Sequence, residues 1–177
     1  KETIDLSENK KIFWTVNGAS IVIAVLMVVA GWLIWPLNSV TTGWSLMSLI
    51  PVAVAIVGYF IYLILHEAVH GVFMFIFSHT KVKFGFKKIY AYAGSKAYFN
   101  KKSYIVIGLA PVVLWGIVLA VLNIFYNSGM WFWVIWFIQI GNIGGATGDV
   151  YVTYRMIRAP KDVLVQDSGV SMDVYYR

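Results

Sequence analysis

Two imidazoles and a carboxylate stand together in a stretch that otherwise carries no charge. Residues 66–70 read His66-Glu67-Ala68-Val69-His70, and from Ile12 to Leu65 there is no Asp, Glu, Lys or Arg. On a helix, positions i and i+4 share a face, so both histidines can bind one metal ion. Glu67 then lies beside the metal, placed to take a proton from a water bound there. A charged residue in the middle of a hydrocarbon layer costs ~2.5–3.5 kcal/mol on insertion scales, so such a group marks a functional site by default. The competing interpretation is a chance motif whose histidines satisfy core hydrogen bonds; it leaves the position of the carboxylate without a reason.

A catalytic zinc site has three protein ligands and an open position for water. With no cysteine in the chain, the ligands must be His and carboxylate. The acidic inventory is short: Glu2, Asp5 and Glu8 precede the first apolar block, Asp162, Asp167 and Asp173 follow the second, and only Glu67 and Asp149 lie within or beside the blocks. The third ligand is therefore Asp149, His79 or an aspartate of the tail. Depth favours Asp149. His66 is fifteen residues beyond Pro51, or ~23 Å along a helix, and Asp149 is eighteen beyond Trp131, or ~27 Å. Pairing with Arg155 is the competing role for that aspartate. His79 follows His70 by nine residues and falls on a roughly opposite helical face.

The elements that must position these groups follow from composition. Of 177 residues 60% are hydrophobic and only 12% charged, with mean hydropathy +0.75, against about 25% charged in soluble domains. This predicts an integral membrane protein. Two charge-free blocks, Ile12 to Leu65 and Ser103 to Gly148, are each long enough for two spans. Turn-rich breaks divide them, at Pro36-Leu37-Asn38-Ser39 through Thr41-Thr42-Gly43 and at Asn127-Ser128-Gly129. The expected fold is an all-α polytopic membrane protein, a single membrane-embedded domain over 1–177. Its four transmembrane helices run over 13–35, 50–77, 103–126 and 131–157, with a basic extended loop over 78–102 and a cytoplasmic tail over 158–177.

All fourteen Lys and Arg lie in the N-terminal segment, in that loop, or from Arg155 onward. The positive-inside rule then places both termini and the loop in the cytoplasm of a multi-pass protein, with a prokaryotic cell membrane as the expected setting. The net charge of +6 maps onto topology, so no nucleic-acid partner is expected; the lipid bilayer is. Trp14, Trp35, Trp44 and Trp131 suit interfacial anchoring or ordinary packing.

In the loop, Val82, Phe84 and Phe86 alternate with Lys83, Gly85 and Lys87, which is a strand period. With Tyr90, Tyr92 and an Ala93-Gly94-Ser95 turn, this predicts a small cytoplasmic-side β-hairpin between helices 2 and 3. It could offer an edge to an unwound peptide, or lie on anionic headgroups. Near Asp149 the chain reads Gly141-Asn142-Ile143-Gly144-Gly145-Ala146-Thr147-Gly148, which permits close helix approach or local unwinding beside a polar cavity. Asn142, about two turns before Asp149, could hold a substrate, orient a ligand or serve as helix–helix glue. The glycine spacings suit dimerisation and internal packing equally, and the oligomeric state stays open. The tail is too short to fold alone; it either packs on the cytoplasmic face or gates access.

Taken together, His66-Glu67-Ala68-Val69-His70-Gly71, the extended segment after it, Leu109-Ala110-Pro111 opening the next span, and Asn142 through Gly148-Asp149 resemble the site-2 protease class of intramembrane zinc metalloproteases. The resemblance covers residues 60 to 157 and is closest to a small family of membrane zincin peptidases. It implies His66, His70 and Asp149 as ligands of Zn2+, Glu67 as catalytic base, and Asn142 as a residue near the substrate. The sequence departs from those proteases in having Gly145 in place of a proline, Gly148 before rather than after the aspartate, and Leu-Ala-Pro in place of Ala-Gly-Pro. The activity implied is hydrolysis of a peptide bond in a membrane-spanning substrate near the cytoplasmic side. The alternative is a zinc-binding membrane protein without protease activity, a sensor or an inactive relative. A metal transporter ranks last, because the outer half of the spans carries no ionisable residue.

Overall fold

The computed structural model describes residues 1–4, 9–36, 47, 49–87, 90–127, 129–169 and 171–176. Trp44 and the break expected over 37–43 lie outside them, as does Ser128. The chain is mostly helical. After a short strand β1 (Glu2–Ile4) come α1 (Lys10–Ile34), α2 (Leu49–Ser78), β2 (Val82–Lys87), β3 (Tyr90–Ser95), β4 (Phe99–Asn100), α3 (Lys101–Phe125), α4 (Gly129–Gly145), α5 (Thr147–Arg158), β5 (Leu164–Asp167) and β6 (Met172–Tyr175).

Local chemistry sets the helix ends. Asn9 caps α1 by accepting hydrogen bonds from the amides of Lys11 and Ile12, and Pro36 follows its end. Asn100 caps α3 by accepting from Ser103 N. Among the described residues three helices, α1, α2 and α3, are long and apolar enough to cross a membrane. Their outward faces carry Ile21, Leu26, Phe60 and Ile117, all more than 60% exposed. Apolar surface on that scale is stable only against lipid or a partner.

The fourth expected helix is corrected. Over 131–157 the chain forms α4 and α5, separated at Ala146, rather than one continuous span. The interruption falls in the glycine run. Gly141 lies so close to α2 that a Cβ there would meet the Tyr59 ring at 2.2 Å. Gly144 faces Ser20 and Ala24 of α1. The run thus serves internal packing as well as the break. Of the two segments, α4 has 17 residues, at the lower limit of a span.

The all-α expectation is also incomplete. The hairpin forms, with Val82 opposite Ser95 and Lys87 opposite Tyr90. Its second strand continues through Ala93-Gly94-Ser95, where a turn was expected. A second sheet of order β1-β6-β5-β4, antiparallel at every pairing, joins the N-terminal strand, the tail and the residues just before α3. Its inner face and the adjoining helix ends build the core: Ile4, Met74, Phe99, Ile107, Met156, Val165 and Val174 are buried together. Burying side chains of this size stabilises by roughly 1.5–3 kcal/mol each. The tail is therefore held as a sheet against the helices.

Candidate metal centre

Helix α2 presents Tyr62, His66 and His70 at successive i, i+4 positions, on one buried face. His66 and His70 are each 8% exposed, and their rings meet edge to face at 5.0 Å. Across from them stands Asp149. The break at Ala146 starts a new helix, so Asp149 falls in the first turn of α5, where the helix dipole favours a carboxylate. Its Oδ2 lies 3.3 Å from His66 Nε2 and its Oδ1 lies 3.5 Å from His70 Nε2.

The partners of the opposite ring nitrogens decide where the protons are. His70 Nδ1 is 2.9 Å from the Ile107 carbonyl oxygen, which can only accept, so Nδ1 carries the hydrogen. His66 Nδ1 is 2.8 Å from the Tyr62 hydroxyl, and that hydroxyl donates to Asn142 Oδ1 at 2.9 Å. The Tyr62 oxygen is thus left to accept from His66 Nδ1–H. On neutral rings with these Nδ1–H tautomers, both Nε2 atoms present lone pairs to the carboxylate.

That arrangement is repulsive unless a cation sits between the groups. At 3.3 and 3.5 Å the separations are longer than those of strong charge-assisted hydrogen bonds, ~2.7–2.9 Å, although the first is still within hydrogen-bond reach. They match the ligand–ligand edge of tetrahedral zinc, about 3.4 Å for bonds of 2.0–2.2 Å. The donor set of two imidazoles and one carboxylate also suits zinc. His66, Glu67 and His70 offer ligand atoms within 4.8 Å of one another. The residues present fit the metal.

Glu67 is oriented from the β side. Its Oε2 accepts from Ala93 N at 2.9 Å. The hairpin comes this close because residue 71 is glycine: a Cβ there would meet the Phe84 ring at 2.3 Å. Ala93 therefore directs its amide away from β2 and toward the site. The groups border a cavity of about 560 Å³, lined by Tyr59, Leu63, Ala91, Tyr104 and Asp167 among others.

The other expected residues fall as follows. Asn142 is fully buried and is not among the residues that line the cavity; its Nδ2 donates to Val112 O at 3.1 Å. His79 is exposed with positive φ, its ring against Phe75 and away from the site. Arg155 bonds Glu2 Oε1 at 2.6 Å, so it does not neutralise Asp149. Pro111 lies ten residues inside α3 rather than at its opening.

Two residues were missed, Tyr62 and Tyr104, and Asp167 was weighed only as one of the tail aspartates that could ligate a metal. Tyr62 could have been found from its i−4 spacing to His66. Tyr104 and Asp167 had no local signal, because they meet only when the tail folds back. The Tyr104 hydroxyl donates to Asp167 Oδ2, and Gly169 N donates to Oδ1 at 2.7 Å. Desolvation pushes the Asp167 carboxyl above its ordinary range, and the hydrogen bond from Tyr104 opposes that rise.

Comparison with known proteins gives one family. A family model described as "Putative zincin peptidase" matches residues 59–164, from just before the paired histidines to the start of β5. No curated protein and no solved structure matches the chain. The match spans more than half of the sequence and includes every side chain of the His66–His70–Asp149 cluster, so the chain belongs to this zincin peptidase family.

Proposed function

We propose that the protein is a zinc-dependent intramembrane peptidase of the site-2 protease type, which hydrolyses a peptide bond of a membrane-spanning substrate near the cytoplasmic side. The observation that carries this is the convergence of two histidine Nε2 atoms, on a helix α2 long and apolar enough for a bilayer, on both oxygens of Asp149 at 3.3 and 3.5 Å. His66, His70 and Asp149 would hold the metal. Zinc bound there supplies a Lewis acid that polarises a carbonyl and lowers the pKa of water toward ~7.

The remaining steps belong to the chain. Glu67 keeps one oxygen on Ala93 N–H and takes the proton of the attacking water on the other. The water oxygen adds to the scissile carbonyl carbon. The C–N bond then breaks, and Glu67 returns the proton to the departing amine nitrogen. A substrate helix must unwind first, because its own hydrogen bonds shield its peptide groups. The edge of β3, where Ala91, Tyr92 and Ala93 border the cavity, supports a reading in which the unwound segment pairs as an added strand. The distribution of lysine and arginine supports cytoplasmic termini.

Glu67→Gln tests this. The purified variant is expected to keep stoichiometric zinc by elemental analysis and to lose cleavage of a co-expressed single-span substrate. Undiminished cleavage would end the mechanism. A cellular phenotype that survives Glu67→Gln but disappears with His66→Ala would instead identify a zinc-binding sensor.

A further inference from the structure

Both metal-facing nitrogens depend on hydrogen bonds made on the far side of their rings, and both chains of bonds end on backbone carbonyls of α3. In an α-helix the carbonyl of residue i accepts from the amide of residue i+4. The helical donor for Ile107 would be residue 111, which is proline and has no N–H. The Ile107 oxygen is therefore free, and it is the atom that His70 Nδ1 meets at 2.9 Å. Five residues on, the Val112 carbonyl accepts from Asn142 Nδ2. A carbonyl cannot donate, so this contact turns the Asn142 amide and aims Oδ1 at Tyr62. Tyr62 must then donate to Asn142 and accept from His66. Without Asn142, the Tyr62 hydroxyl could rotate and donate to His66 Nδ1, moving the imidazole proton to Nε2 and blocking the metal-facing lone pair.

We propose that α3 selects the tautomer of both histidines through two carbonyls, that of Ile107 made available by Pro111 and that of Val112 acting through Asn142 and Tyr62. Pro111, Asn142 and Tyr62 are positioning residues in this scheme. The purpose of the device rests on the zinc reading above, but the bonds that build it do not. It gives Asn142 a task behind the site, in keeping with its complete burial.

The test uses the full chain in detergent micelles and has two readouts. The first is the 15N shift of the imidazole nitrogens in metal-free protein at a pH where the rings are neutral. Wild type is expected to carry both protons on Nδ1. Pro111→Ala restores an amide to compete for the Ile107 oxygen, so His70 alone should become a mixture; Asn142→Leu should do the same to His66 alone. The second readout is zinc affinity by chelator competition. Each variant is expected to bind 10–100-fold more weakly, as when a hydrogen-bond partner behind a ligand is removed.

Pro111→Ala completes a helical hydrogen bond but removes fully buried ring carbons, so its unfolding temperature should change little while its zinc affinity falls. A merely structural proline would give the reverse pattern, a less stable protein with unchanged affinity. Asn142→Leu is an independent test should the proline variant fail to fold. The proposal is overturned if wild-type histidines carry their protons on Nε2, or if both variants keep wild-type tautomers and affinity. Wild type with both Nδ1–H tautomers but no zinc would support the carbonyl assignment and overturn the zinc reading alone.

Discussion

The helical and β sides of the centre hold different parts of the chemistry. On the helical side, α2 and α5 bring His66, His70 and Asp149 together, and carbonyls of α3 stand behind the two imidazoles. On the β side, the hairpin amide of Ala93 orients Glu67, and β5 sets Asp167 against Tyr104. Ligation depends on packing between apolar helices, which changes little once formed. Proton transfer depends on strands lodged through glycine contacts. The two functions should therefore be separable by mutation, because each has its own scaffold.

The largest expected effect comes from the helical side. Asp149→Ala should remove stoichiometric zinc, seen by elemental analysis, and abolish cleavage while the metal-free protein still folds. If the variant keeps its zinc, the division between the two sides is wrong at its root. Next is the joint between them. Met156 on α5 is 1% exposed and packs under the four-stranded sheet. Met156→Ala should lower stability by about 2–5 kcal/mol, read as a fall in unfolding temperature, and should weaken zinc binding and cleavage together.

A β-side change should split the two functions. Gly71→Val places methyl groups where Phe84 sits and lifts the hairpin from α2. Cleavage should fall by about 10²-fold, the lower range for a mispositioned acid–base group, with zinc content near that of wild type. The smallest effect belongs to the rim of the sheet. The Tyr176 hydroxyl, and after it the Arg155 guanidinium, hold the Glu2 carboxyl below its ordinary range. A lowered folded-state pKa contributes stability that is complete above the unfolded value near ~4.3 and is lost as pH falls through the folded one. Glu2 is 40% exposed, so solvent screening limits this to less than about 1 kcal/mol. Glu2→Gln should flatten the stability profile below about pH 4.3 and alter neither zinc binding nor cleavage.

Much of the helical side was legible in the sequence. The i, i+4 histidines share a face on any helix, and with so few acidic residues in apolar surroundings Asp149 stood out. The hairpin was visible in the alternation of Val82, Phe84 and Phe86, although Gly94, read as part of a turn, lies within β3. The break at Ala146 was harder, because a glycine run permits both close packing and interruption, and here it does both. The four-stranded sheet was hidden. Its strands have only two to four residues, too short for a clear period, and although β5 and β6 are neighbours, β1 and β4 join them from distant parts of the chain. For the same reason the role of Asn142 was open: its partners lie on α2 and α3, and only the assembled bundle fixes which way its amide points.

The pairing of Glu2 with Val174 sets an order of events. Strands β1 and β6 are separated by all of the helices described, α1 to α5, and closing a loop of that length is slow compared with forming a helix turn or a hairpin. The emerging chain places its metal ligands before the sheet can close, so β1 must wait, unpaired, beside the membrane until β5 and β6 have been made. Closure of the sheet, which also seats Asp167 against Tyr104, is therefore a late event that follows formation of the helices carrying the ligands.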